Sequence, residues 1–178
     1  ASLAAGAMAL AARRAHATSR AMFDFRPDPA TPKPEAYRQL LDAAEALTAG
    51  EPDTVANMAN IAALGWDFLP DLNWSGFYRV IGDELVLGPF VGRPACIRIP
   101  MGQGVCGAAA RDGRTQLVED VHAYPGHIAC DSVTNSELVV PVLRDGAVVA
   151  VIDLDSPAKA RFDRDDVNGV EALARMLA

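Results

Sequence analysis

Ser136-Glu137-Leu138-Val139-Val140-Pro141-Val142-Leu143-Arg144-Asp145-Gly146-Ala147-Val148-Val149-Ala150-Val151-Ile152-Asp153-Leu154-Asp155 is the stretch that decides how this chain folds. Apolar runs flank the turn pair Asp145-Gly146, so 138–143 and 147–155 read as the arms of an antiparallel hairpin. Asp153 and Asp155 are two apart and share one face of their strand. Carboxylates beside Ile152 and Leu154 are costly there unless they are paired or serve a site. The alternative is a strand end emerging into solvent before Pro157. Glu137 opens the partner arm. A strict two-residue hairpin sets it opposite Leu154, on the wrong face. A one-residue slip, through a longer loop or a bulge near Pro141, brings it to the aspartates.

Outward from this hairpin the pattern stays regular. Asn73–Val80 and Glu84–Phe90 read as a second hairpin around Gly82-Asp83, a II′-type signal. Upstream, Tyr37, Leu40, Leu41, Ala44 and Leu47 fall at helical spacing, and Gly50 closes that helix. Asp53 caps a second helix with Val55, Met58, Ala62 and Leu69 towards one side. Downstream, Asp163 caps a final helix with Val167, Val170, Leu173, Ala174 and Leu177 inward. Between the hairpins lies a long irregular stretch with a short helix after Gly104. The order gives an α+β fold: a central antiparallel sheet, helices packed on one face and long loops on the other. Loops of that length are where function concentrates.

Residues 1–33 stand apart as an N-terminal arm and linker, and 34–178 as the folded domain. The arm is Ala-rich, carries Arg13, Arg14 and Arg20, and has no acid before Asp24. That composition resembles an organelle transit peptide; it also suits an arm that packs as a helix on a neighbour, the reading preferred here. Pro27, Pro29, Pro32 and Pro34 form a linker that no helix crosses.

The 178 residues suit one domain, and 51% apolar content supplies a full core. A net charge of −7 argues against a nucleic-acid partner, which needs a basic face. No apolar run approaches the roughly 20 residues that span a bilayer. A small molecule or another protein is the expected partner, and the cytoplasm the expected location. The three cysteines, Cys96, Cys106 and Cys130, are too few and too odd in number for a secreted disulfide framework. Buried apolar cysteines are the plain alternative.

Three clusters carry possible chemistry. In Gly102-Gln103-Gly104-Val105-Cys106-Gly107-Ala108-Ala109-Ala110, glycines precede a small-residue helix whose N-terminus suits a carboxylate and is expected to lower the Cys106 pKa. In Asp120-Val121-His122-Ala123-Tyr124-Pro125-Gly126-His127-Ile128-Ala129-Cys130-Asp131, the last cysteine has His127 three residues before it and an acid after it, which favours a thiolate. His122, His127 and Cys130 lack zinc-site spacing, so no metal is expected. On local chemistry Cys106 and Cys130 have equal claims as nucleophile. Trp74 and Tyr78 share a strand face, as pocket wall or as ordinary core.

Together, Trp74-Ser75-Gly76-Phe77-Tyr78, Gly88-Pro89-Phe90, Pro94-Ala95-Cys96, Gly104-Val105-Cys106-Gly107, Asp120-Val121-His122, Pro125 to Asp131 and Ser136-Glu137 resemble the free methionine-(R)-sulfoxide reductases, single GAF-domain proteins. The likeness runs from about Pro34 to the C-terminus. It implies a GAF-like fold, with Cys130 as nucleophile, Cys96 as resolving thiol and Cys106 as a second or alternative one. Glu137, Asp153 and Asp155 then hold the substrate ammonium and supply a proton, Glu137 and Asp155 taking part in catalysis. Trp74 and Tyr78 wall the methyl-sulfoxide pocket. The implied substrate is free methionine sulfoxide, and the implied reductant is a dithiol of thioredoxin type. Neither a metal nor an organic cofactor is called for. A homodimer is expected through the apolar second helix and the arm. The rival expectations are a GAF-type domain that binds a small ligand or senses oxidation without turnover, and an adaptor with inert thiols.

Overall fold

The computed structural model describes residues 27–178 apart from Pro29 and Ala129. The N-terminal arm expected over the first residues lies largely outside the described residues. In chain order the elements are α1 (Lys33–Thr48), α2 (Thr54–Phe68), β1 (Trp74–Ile81), β2 (Glu84–Gly92), β3 (Arg98–Pro100), α3 (Gly104–Asp112), β4 (Gln116–Val118), a 3-10 turn (Val121–Ala123), β5 (Ser136–Arg144), β6 (Ala147–Ser156) and α4 (Arg164–Met176). The strands form one antiparallel sheet in the order β3-β2-β1-β6-β5-β4. The two expected hairpins make its four central strands. The three-residue edge strands β3 and β4 emerge from the stretch that looked irregular in sequence.

Local chemistry sets the boundaries. Asp53 accepts from the Val55 and Ala56 amides at 2.8 and 3.0 Å, capping α2. Asp163 and Asp166 form a capping box at the start of α4. Pro34, expected in the linker, instead sits in the first turn of α1. No intrahelical N–H is needed there, and the ring's fixed φ suits a helix start.

Both hairpins carry a one-residue register shift. At the β5–β6 tip, Asp145 and Gly146 both have positive φ, 51° and 81°, as a type I′ turn requires. Arg144 pairs with Ala147 and Leu143 with Val148, but Val142 pairs with Ala150. Val149 is therefore the extra residue of a bulge. Beyond it Val139 faces Asp153 and Glu137 faces Asp155. The slip needed to join the three acids is present, on the opposite strand from Pro141. A similar shift between Gly76 and Tyr78 sets Phe90 opposite Gly76.

Alternation then sorts the side chains between the two faces. Leu138, Val140, Val142, Ala150, Ile152 and Leu154 join Phe77 under α1, α2 and α4 in one core. Val139 and Val151 face the other way and pack with Trp74, Tyr78, Leu85, Val105, Cys106 and Ala109. The loop face thus also carries a helix, α3, which seals one side of it.

Candidate active site

The acids lie on the loop face because of the bulge, and the chain around them closes a small cavity. It is about 40 Å³, lined by Trp74, Tyr78, Cys106, His127, Cys130, Glu137, Asp153 and Asp155, among others. Of the residues singled out in the sequence, Cys96, which is bonded to Cys130, and His122 do not border it. That Cys96–Cys130 disulfide spans 34 residues of sequence with a Cα–Cα distance of 5.6 Å. It joins the loop between β2 and β3 to the loop before β5, and its Cys130 end borders the cavity. Cys106 remains a free, buried thiol.

Beneath the disulfide the acids are packed closely. Glu137 and Asp153 are 6% and 5% exposed, and Asp155 is partly buried. The Cys106 thiol approaches Glu137 Oε1 at 3.8 Å, a weak S–H donor contact. His127 Nε2 lies 3.9 Å from Glu137 Oε2. Asp153 Oδ1 is buried with no hydrogen-bond partner. None of the described lysines or arginines makes an ion pair with the three carboxylates.

The aromatic wall has a third ring behind it. Trp74 stacks on Tyr78 with centroids 5.9 Å apart and on Phe90 at 5.2 Å. Trp74 Nε1 donates to the Arg93 carbonyl, and the Tyr78 hydroxyl donates to the Cys96 carbonyl at 3.0 Å. Both rings thereby steady the loop that carries Cys96. Gly76 lies among them: a Cβ there would sit 2.4 Å from the Phe90 Cβ and 2.7 Å from the Trp74 ring. Phe90, which backs the Trp74 ring without lining the cavity, was missed because an unbulged hairpin turns it to the other face. Asp131 and Thr134 also line the cavity. Asn73 donates to them at 3.4 and 2.9 Å and so ties their loop to the start of β1.

Similarity to known proteins agrees with this arrangement. Residues 34–178 match the GAF domain family. The chain is 46% identical over 145 residues to the free methionine-R-sulfoxide reductase of Escherichia coli, covering 82% of this chain and 88% of that one. It is 44% identical over 153 residues to the Saccharomyces cerevisiae protein of the same name, covering 82% and 85%. The X-ray structure of free methionine-R-sulfoxide reductase from Neisseria meningitidis in complex with its substrate superposes with a TM-score of 0.81. The two are 45% identical, over 85% of this chain and 92% of that one. This chain belongs to the free methionine-R-sulfoxide reductase family.

In this reductase-family site, burial governs the titrations. Desolvation pushes Glu137 well above the usual carboxylate range, with Asp153 and Asp155 adding to the rise. Asp155 rises well above it for the same reason, helped by Asp153 and Asp131. Asp153 rises to about 7 through desolvation, held down somewhat by the Cys106 contact. Burial also lowers His127 below the ordinary histidine value. Cys106 departs from expectation. The N-terminus of α3 suggested a lowered pKa, but desolvation and then the three carboxylates push the thiol well up. The acids that decide this are remote in sequence, so the local motif could not reveal it.

The α3 N-terminus itself remains available to an anion. Gln103 provides no side-chain cap, and Gln103 to Cys106 border the cavity. Zinc through His122, His127 and Cys130 is disfavoured, since His122 Nε2 bonds to Asn135 Oδ1 at 3.0 Å. Among the described residues, the one group of donors close enough for a metal is Cys106, Glu137 and Asp153, within 4.8 Å of one another. Those same atoms form the acidic floor of the cavity.

Proposed function

We propose that this chain reduces free methionine (R)-sulfoxide to methionine through a cysteine sulfenic acid and an intramolecular disulfide. The observation that carries the reading is the Cys96–Cys130 disulfide lying against three buried carboxylates and stacked rings. The named activity of the Escherichia coli and yeast relatives supports it.

The groups present divide the work in a chemically consistent way. A free amino acid brings an ammonium, a carboxylate and a side chain. Asp153 is the least raised of the three acids and has an unpartnered oxygen, so it takes the ammonium. The uncapped first turn of α3 takes the carboxylate. Trp74 and Tyr78 enclose the methyl sulfoxide. In the reduced protein the Cys130 thiolate attacks the sulfoxide sulfur while Glu137 or Asp155 donates a proton to its oxygen; the protonated oxygen then passes to the Cys130 sulfur as the bond between the two sulfurs breaks. Burial together makes both acids hold their protons to higher pH than an ordinary carboxylate, as a proton donor requires. Methionine leaves, and Cys130 carries a sulfenic acid. The Cys96 thiol attacks that sulfur, releases water and closes the disulfide. Cys106 is a neutral, buried thiol and stands in reserve as the second resolving cysteine. An external dithiol of thioredoxin type restores the two thiols.

An exchangeable disulfide of this kind works in a reducing compartment, which supports the cytoplasm as its location. None of the described helices is long and apolar enough to cross a membrane. A homodimer through α2, where Val55 and Trp66 are exposed, is part of the proposal.

The deciding experiment offers the protein both epimers of free methionine sulfoxide with dithiothreitol as reductant. Loss of the R epimer alone, abolished in Cys130→Ser, is the expected result. Cys96→Ser, reduced beforehand and freed of dithiothreitol, should still release one methionine per protein. Turnover of neither epimer by the wild type leaves a ligand-binding or redox-sensing GAF domain instead.

A further inference from the structure

The disulfide is flanked by apolar side chains that the fold holds out in solvent. Ile97, next to Cys96, is 71% exposed, the most exposed large apolar residue among those described. Val133, three residues after Cys130, is 42% exposed. Neither position is slack. The Ile97 carbonyl accepts from the Leu87 amide on β2 at 3.0 Å. The Val133 amide donates to Asp131 Oδ1 at 3.1 Å, and Asn73 holds the other Asp131 oxygen. Leaving such groups in water has a free-energy cost that a covering surface would remove.

What must cover them follows from the disulfide chemistry. A thiolate reduces a disulfide by displacing one sulfur from the other, so it must approach along the S–S axis. Cys96 and Cys130 are both partly exposed, whereas Glu137 and Asp153, which share the cavity with Cys130, are buried. A protein donor therefore approaches from outside, over the residues beside the two cysteines. We propose that Ile97 and Val133 form the docking surface for a dithiol protein whose reactive cysteine is set in an apolar face. The proposal rests on the reductive cycle described above and names where the reductant of that cycle binds.

The exchange balances. The donor's first thiolate attacks one sulfur of the Cys96–Cys130 bond, forming a mixed disulfide and expelling the other sulfur as a thiolate. The donor's second thiol then displaces the remaining cysteine. Two electrons and two protons pass from donor to chain, leaving two thiols here and one disulfide on the donor.

Ile97→Asp and Val133→Asp test the surface, because a charge there opposes an apolar partner without altering the cavity. Turnover is driven in parallel by thioredoxin, with its reductase and NADPH, and by dithiothreitol, which needs no docking. The expected result is a KM for thioredoxin raised about tenfold, with dithiothreitol-driven turnover unchanged. An unchanged KM overturns the proposal. So does an equal loss with both reductants, which would mean that these residues serve the fold or the cavity. A change in sedimentation of either variant also overturns it, by showing that a second copy of the chain occupies the face. Reduction of the preformed disulfide by thioredoxin, followed as thiols released without any sulfoxide, keeps the two readings apart. If that reduction proceeds and slows in the variants while no methionine forms, the surface stands and the substrate assignment falls.

Discussion

The two faces of the sheet each bury an aspartate, and they treat it in opposite ways. On the helix face Asp166 has no exposure, yet it is surrounded by donors. It accepts from Lys33 at 2.7 Å, Arg161 at 2.9 Å, the Tyr37 hydroxyl at 2.8 Å and the Asp163 amide at 2.8 Å. On the loop face Asp153 is nearly as buried, has two more acids for neighbours, and keeps one oxygen without a partner. The first arrangement closes the fold around a satisfied charge. The second leaves a deficit that only something from outside can fill. Neither burial nor the type of residue separates a structural acid from a functional one; the separation comes from whether the fold itself supplies the counter-charge.

This contrast predicts effects of opposite sign. Asp166→Ala should destabilise the protein by about 3–5 kcal/mol in urea unfolding, because it leaves the buried Arg161 guanidinium without its ion partner and the Tyr37 hydroxyl without its acceptor. A loss below about 1 kcal/mol would break the comparison. Asp153→Asn should do the reverse at alkaline pH. In the unfolded chain an aspartate releases its proton near its ordinary value; in the fold Asp153 releases it only at about 7. Between those values the unfolded state binds fewer protons, so wild-type stability falls as pH rises and then levels off. The asparagine variant escapes that fall. It should be about 2–4 kcal/mol more stable than wild type at pH 8 and no more stable near pH 3.5. Its KM for methionine sulfoxide should rise sharply as the ammonium loses its partner. The smallest effect concerns the aromatic wall. Gly76→Ala should cost about 1–3 kcal/mol by wedging Phe90 from Trp74, with kcat reduced alongside stability.

Much of this was legible in the chain, and the exceptions share a cause. Period-two and helical patterns located the central strands and three of the helices, since each depends on neighbours a few residues away. The Asp153–Asp155 pair was readable because strand alternation is local. Glu137 could be joined to it only on condition of a bulge, and the extra residue proved to be Val149, which no turn residue marks. Phe90 failed for the same reason in the other hairpin. The Cys106 titration was misread because its neighbours arrive from β5 and β6. Resemblance implied Cys130 as nucleophile with Cys96 or Cys106 to resolve it, and did not say which would be bonded; local sequence left Cys106 and Cys130 level. What depends on short spacing can be read from the chain, whereas what depends on a one-residue offset between strands must be seen folded.

The disulfide has a thermodynamic consequence beyond its chemistry. Joining cysteines 34 residues apart stabilises a folded chain by about 3–4 kcal/mol in the chain-entropy account. Coupling of this kind is reciprocal: the fold favours the closed disulfide over the two thiols by the same amount. Heating the oxidised protein and reducing it therefore assist one another, and each becomes harder when the other is withheld. In the proposed cycle the molecule is most firmly shut when its reductant is scarce. Its melting temperature thereby becomes a gauge of the dithiol supply around it.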